Sequence, residues 1–166
     1  MKESESSEAD TRHCRRRQVW VGQLGDGRPC AVKQVDSLQG QKEHELLLRV
    51  REAGRCAHII DYYTGFEQAA DGRYFLAMEL ADKGTLRDWQ RDGRLGSLSW
   101  AGRKALCRDL CVGMEFLHEK AGVVHRDLKP ENVLFKSEAT RGGRRDTLKA
   151  RVHWAPFVPQ ALSVFG

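Results

Sequence analysis

No run of apolar residues in this 166-residue chain approaches the ~18 that a membrane span needs. Its opening, Met1-Lys2-Glu3-Ser4-Glu5, lacks the apolar core of a secretory leader. The five cysteines (Cys14, Cys30, Cys56, Cys107 and Cys111) are odd in number, scattered, and form no Cys-x-x-Cys pair. That excludes a recognisable disulfide scaffold or zinc site and suits a reduced intracellular compartment, with the cytoplasm expected. Only four prolines accompany the 16 glycines, so a collagen-like chain is excluded. With 40% hydrophobic and 31% charged residues there is enough apolar mass for a core, which excludes a wholly disordered chain. The length suits one domain, or a small lobe with part of a second.

The net charge of +5 is unevenly placed. From Lys136 onward stand Lys136, Arg141, Arg144, Arg145, Lys149 and Arg151 against only Glu138 and Asp146, so most of the excess lies there. Residues 136–166 are therefore expected to be a basic, divergent tail. Its few aromatics, chiefly Trp154 and Phe157, make nucleic acid an unfavoured partner. Residues 1–17 run from acidic (Glu3, Glu5, Glu8, Asp10) to basic (Arg12, Arg15, Arg16, Arg17) without periodicity, and are expected to be a disordered, solvated arm.

Between these segments the pattern changes from strands to helices. Gln18 to Gly22 and Pro29 to Val35 are short apolar runs around Gly25-Asp26-Gly27, a hairpin signal. Residues 41–52 read as a helix with Leu46, Leu47, Leu48 and Val50 on its apolar side. His58 to Tyr63 and Tyr74 to Leu80 read as two further strands, with a turn at Asp71-Gly72. Thr85 stands near the N-cap of a short helix to Arg91, and Ser99 caps a longer one reaching about His118. In the latter, Leu106, Leu110, Met114 and Leu117 recur at helical spacing along one face, and Cys107 and Cys111 beside them are expected in the core.

The chemistry is concentrated in Val123-Val124-His125-Arg126-Asp127-Leu128-Lys129-Pro130-Glu131-Asn132-Val133-Leu134. Both charge signs, a proline and an amide directly after an apolar helix make a loop too polar to be buried for packing alone. The run resembles the HRDLKPEN catalytic loop of eukaryotic-type protein kinases without a substitution. The resemblance extends backward in order. Ala31-Val32-Lys33 is similar to the strand whose lysine meets the nucleotide's phosphates. Glu45 resembles the helix glutamate that holds that lysine, with Glu43 as the alternative register. Met78-Glu79-Leu80-Ala81 resembles the hinge between lobes. The stretch from Val19 to the helix glutamate is also similar to the unfolded-protein-response sensor kinases.

This resemblance implies an α+β, protein-kinase-like fold: a small antiparallel-sheet lobe with one helix over about 18–80, and the start of a helical lobe over about 82–135, together a partial kinase domain at 18–135. It implies a serine/threonine protein kinase using ATP and Mg²⁺, with ATP and a protein Ser/Thr hydroxyl as its partners. Asp127 would accept or orient the hydroxyl proton. Lys129 would face the γ-phosphate, and a lysine there is typical of serine/threonine specificity. Asn132 would ligate Mg²⁺. Val19 and Ala31 above and Leu134 below would sandwich adenine, the backbones of Glu79 and Ala81 would bond it, and Met78 would close the rear. The whole reading requires Lys33 and Asp127 to face one triphosphate.

Two kinase features are missing. The three glycines of the phosphate loop correspond to Arg12, Cys14 and Arg17, whose side chains would obstruct close approach. No Asp-Phe-Gly triplet, the family's main Mg²⁺ anchor, follows Phe135. Little or no phosphoryl transfer is expected, and a catalytically inactive kinase-like module that binds ATP or another kinase is the alternative.

Overall fold

The computed structural model describes residues 19–68, 72–140 and 143–151. The expected arm at 1–17, the three phosphate-loop positions, Asp71 and residues 152–166 of the expected tail lie outside the described residues.

Strand β1 (Val19–Gln23) and strand β2 (Pro29–Asp36) form the anticipated hairpin, with Val19 opposite Lys33. Its turn uses Gly27 at φ +85°, a conformation that costs a residue without Cβ little. Strand β4 (Arg73–Glu79) pairs with β2, and strand β3 (Tyr62–Gln68) pairs with β4. The result is an antiparallel sheet in the order β1-β2-β4-β3.

Helix α1 (Ser37–Glu52) starts earlier than the apolar pattern suggested, because Asp36 caps it by accepting from the Gln39 N–H at 3.1 Å. Its buried residues are Gly40, Glu43, Leu47 and Val50. Their spacings of three, four and three residues lay them along one face against the sheet. At Gly40 the approach is very close: a Cβ there would collide with the Cβ of Tyr74.

The predicted strand from His58 to Tyr63 is corrected in its first half. His58 to Asp61 do not join the sheet, because they bond the end of a second hairpin: Ala150 N–H donates to His58 O at 2.8 Å and Ile60 N–H to Ala150 O at 3.0 Å.

The helical part opens with α2 (Leu86–Arg91), held by a capping box in which Thr85 Oγ1 accepts from Asp88 N–H at 3.1 Å and Asp88 accepts from Thr85 N–H at 2.9 Å. A short helix α3 (Arg94–Ser97) follows, then α4 (Trp100–Glu115), capped by Ser99 and continued by a π-helical turn at Phe116–Lys120. Along the predicted stripe Leu117 is fully buried, while Leu106, Leu110 and Met114 are half-buried. Cys107 and Cys111 are exposed, which corrects their expected place in the core: each stands one residue, about 100° of helix rotation, beyond a leucine of the stripe, enough to carry it out to solvent.

Lys136 is not a boundary of the fold. Strand β5 (Val133–Thr140) runs through it and pairs with β6 (Gly143–Ala150), so the first half of the expected tail is a hairpin seated between the two lobes. Alternation gives this hairpin two working faces. Val133, Phe135 and Leu148 pack with Trp89, whose ring stacks on Phe135 at a centroid distance of 3.7 Å. From the other face Lys136 and Lys149 reach the Glu79 carboxylate at 2.6 and 3.0 Å. The main chain joins in, with Phe135 N–H donating to Gly84 O at 2.9 Å and Lys83 N–H to Phe135 O at 3.0 Å. Among the described residues, no helix is long and apolar enough to cross a membrane.

Burial pushes the Glu79 carboxyl up, but bonds from Lys136, the Asp61 N–H and Lys149 outweigh it and hold the group below its ordinary value of 4.5. Folding therefore favours the carboxylate. That stabilisation is complete above the unfolded value and is lost as pH falls through the lower folded one. The expected outcome is that the unfolding free energy, measured in urea, falls less as the pH drops below 4.5 in Glu79→Gln than in the parent. Separately, Gly40→Ala drives a methyl group into Tyr74 and is expected to cost about 1–3 kcal/mol in the same measurement at neutral pH.

Candidate active site

Lys33 and Glu43 form a buried ion pair, each residue 3% exposed, with Lys33 Nζ 2.6 and 2.7 Å from the two carboxylate oxygens. Glu45, the sequence-based choice for this partner, is exposed. The correction is geometric: two residues along a helix is roughly 200° of rotation, so Glu45 points away from the sheet when Glu43 points toward it. The signal lay in the spacing of Gly40, Leu47 and Val50, a series that Glu43 completes and Glu45 does not.

Lys33 opens onto a cleft between the sheet and the second hairpin. Val19, Ala31 and Lys33 come from β1 and β2, Met78 and Glu79 from β4, Ala81 from the connecting segment, and Leu134 from β5; all seven line this one cleft. Sequence reasoning missed Ile60, Leu80 and Arg151, which line it too. The Glu79 N–H already donates to Asp61 O at 2.8 Å, so that group is not open to a ligand.

Beyond the π-helical turn, the catalytic-loop sequence makes a tight reversal. Arg126 adopts φ +60° while Asp127 N–H donates to His125 O at 2.8 Å, the left-handed γ-turn that is costly for a residue with a Cβ. This presents the Asp127 carboxylate, which meets Lys129 Nζ at 2.8 Å and Asn132 Nδ2 at 2.9 Å. The same Asn132 nitrogen donates to Asp127 O at 2.7 Å. Beneath the turn His125 is buried, and burial pushes its imidazole below the usual value of 6.5, toward the neutral form. Its Nε2 bonds Arg151 O at 3.0 Å.

Arg151 is the residue that sequence reasoning did not place. Its N–H donates to Asn132 O at 2.8 Å, and its guanidinium donates to Asn132 Oδ1, also at 2.8 Å. It joins the two halves of the site, lining the cleft with Lys33 while bonding the amide that holds Asp127. The available signal was Gly142-Gly143 between two strand-like runs, a hairpin turn pattern that returns the chain to the loop.

The divalent cation implied by the resemblance does not fit these residues. Asn132 Oδ1, the expected ligand, already accepts from a cation. Among the described residues there is no cluster of three His, Cys, Asp or Glu side chains able to hold a metal. Past β6 the sequence reads Arg151-Val152-His153-Trp154, with no acidic residue.

The protein kinase domain family matches residues 21–149, most of the chain. The interferon-induced, double-stranded RNA-activated protein kinase of Mus musculus is 30% identical over 125 residues, 68% of this chain and 24% of that protein. A G-type lectin S-receptor-like serine/threonine-protein kinase of Arabidopsis thaliana, SD2-5, is 34% identical over 123 residues, 70% of this chain and 14% of that protein. The receptor-like serine/threonine-protein kinase NCRK of the same plant is 33% identical over 126 residues, 70% of this chain and 22% of that protein. The chain spans less than a quarter of the length of these three relatives. It belongs to the protein kinase family, with the α+β architecture of a partial kinase fold.

Removing one partner of the buried ion pair strands the other charge. Lys33→Met is expected to lower stability by about 3–5 kcal/mol, whereas Glu45→Gln stays within about 0.5 kcal/mol of the parent. Pairing Lys33→Met with Glu43→Leu should recover much of the loss, and urea unfolding of all four proteins checks the pattern.

Proposed function

We propose that this chain is an adenine-nucleotide-binding kinase module in which phosphoryl transfer to protein serine or threonine hydroxyls is slow or absent. The observation that supports binding is the convergence of Val19, Ala31 and Leu134 with Lys33 in one cleft. The apolar trio would hold adenine between the sheet and the hairpin, and the Glu79 carbonyl and Ala81 N–H would bond its edge. Lys33, oriented by Glu43, would meet the phosphates.

The loop residues retain the chemistry of the transfer step. Asp127 would accept or orient a substrate hydroxyl proton, and Lys129 would offset charge moving onto the γ-phosphate. Two things argue that transfer is slow. Lys129 and Asn132 both bind the Asp127 carboxylate, and residues 151–166 include no acidic residue at which the metal on which the family depends could be anchored. These features favour the inactive binding module over the enzyme.

ATP is expected to raise the melting temperature, and Ala31→Phe, which fills the adenine slot, is expected to abolish that rise while the nucleotide-free protein still melts cooperatively. Radiolabelled ATP with a generic basic protein substrate should give no signal above that of Asp127→Asn. Robust turnover lost in Asp127→Asn would overturn the inactive reading and establish the enzyme.

A further inference from the structure

We propose that the cleft binds the polyphosphate of an adenine nucleotide without a divalent cation, the Arg151 guanidinium providing the positive charge that a metal would bring. The proposal rests on the nucleotide reading of the cleft and deepens it by naming the ionic form of the ligand.

Arg151 is held at this place by its own backbone. Its N–H and C=O are bonded to Asn132 O and His125 Nε2, at 2.8 and 3.0 Å, so the residue is clamped to the catalytic loop on both sides. From there its guanidinium reaches Asn132 Oδ1 at 2.8 Å. Arg151 also lines the cleft that contains Lys33. A divalent ion ligated by Asn132 Oδ1 would stand beside a fixed positive charge, and like charges at that separation repel.

The remaining oxygens do not compensate. The Glu79 carboxylate is bonded by Lys136 and Lys149, and the Asp127 carboxylate by Lys129 and Asn132. Mg²⁺ takes about six oxygen ligands, several of them from water and the phosphates themselves, and relies on one or two protein carboxylates for the rest. A nucleotide polyphosphate instead suits a guanidinium, whose planar fork of donors matches phosphate oxygens, with the Lys33 ammonium as a second cation.

The test is isothermal titration of the whole chain with ATP, once in EDTA and once in excess Mg²⁺, with adenosine as a phosphate-free control. The parent is expected to bind ATP in EDTA within about twofold of its affinity in Mg²⁺. Arg151→Gln keeps a donor for Asn132 but removes the charge; it should weaken ATP binding in EDTA at least tenfold while adenosine binds unchanged. Should the parent bind ATP tenfold or more tightly in Mg²⁺ than in EDTA, the metal-free proposal is overturned and the nucleotide cleft stands. Equal ATP affinity of the parent and Arg151→Gln in EDTA also overturns it, because the charge is then irrelevant. If neither ATP nor adenosine binds in either buffer, the reading of the cleft fails and the proposal falls with it.

Discussion

The Glu79 carboxylate, almost shut off from water and bonded by Lys136, Lys149 and the Asp61 N–H, ties the sheet to the second hairpin. Burying Glu79 and Lys149 and half-burying Lys136 carries a desolvation cost that short, multiple contacts must offset, and such a cluster tolerates loss of one member poorly. Its position matters more than its net contribution. The roof of the cleft belongs to β1 and β2 and its floor, Leu134, to β5. The cleft therefore exists only while the hairpin is docked, and Glu79 is the polar half of that docking. The stacked Trp89 and Phe135 rings are the apolar half, on the opposite face of the same strands.

The hairpin also organises the loop that carries Asp127. Arg151, just past β6, accepts from His125 through its carbonyl and donates to Asn132 through its amide, so the end of the hairpin grips the loop on both sides of Asp127. That grip gives a physical reason for the left-handed backbone at Arg126: a conformation costly in isolation persists where its neighbours are held in place. Lys33 and Asp127 were expected to face a common ligand. Arg151 is the residue through which both are connected, one by the shared cleft and the other through Asn132.

Much of this was legible in advance, and the gaps have identifiable causes. The HRDLKPEN run, the Gly25-Asp26-Gly27 hairpin and the caps at Thr85 and Ser99 are local signals, and local signals survive folding. The choice between Glu43 and Glu45 depended on helix phase. Three consecutive leucines blurred that phase until the close packing of Gly40 resolved it. The strand expected at His58 failed because Ile59 and Ile60, apolar as predicted, pair with Ala150, a partner far along the chain. Basic residues masked β5 and β6. A strand rich in lysine and arginine reads as a solvated tail unless the buried acids awaiting it, Glu79 above all, are known.

Gly40 carries a mechanical consequence. Because the α1 backbone lies directly on Tyr74, with no room for even a methyl group, the helix cannot roll about its axis without driving its neighbouring side chains into β4. Swinging Glu43 outward by such a rotation would have to unseat Leu47 and Val50 from the core at the same time. The salt link at Lys33 is thus geared to the seating of the entire helix against the sheet, and loosening one by such a roll loosens the other.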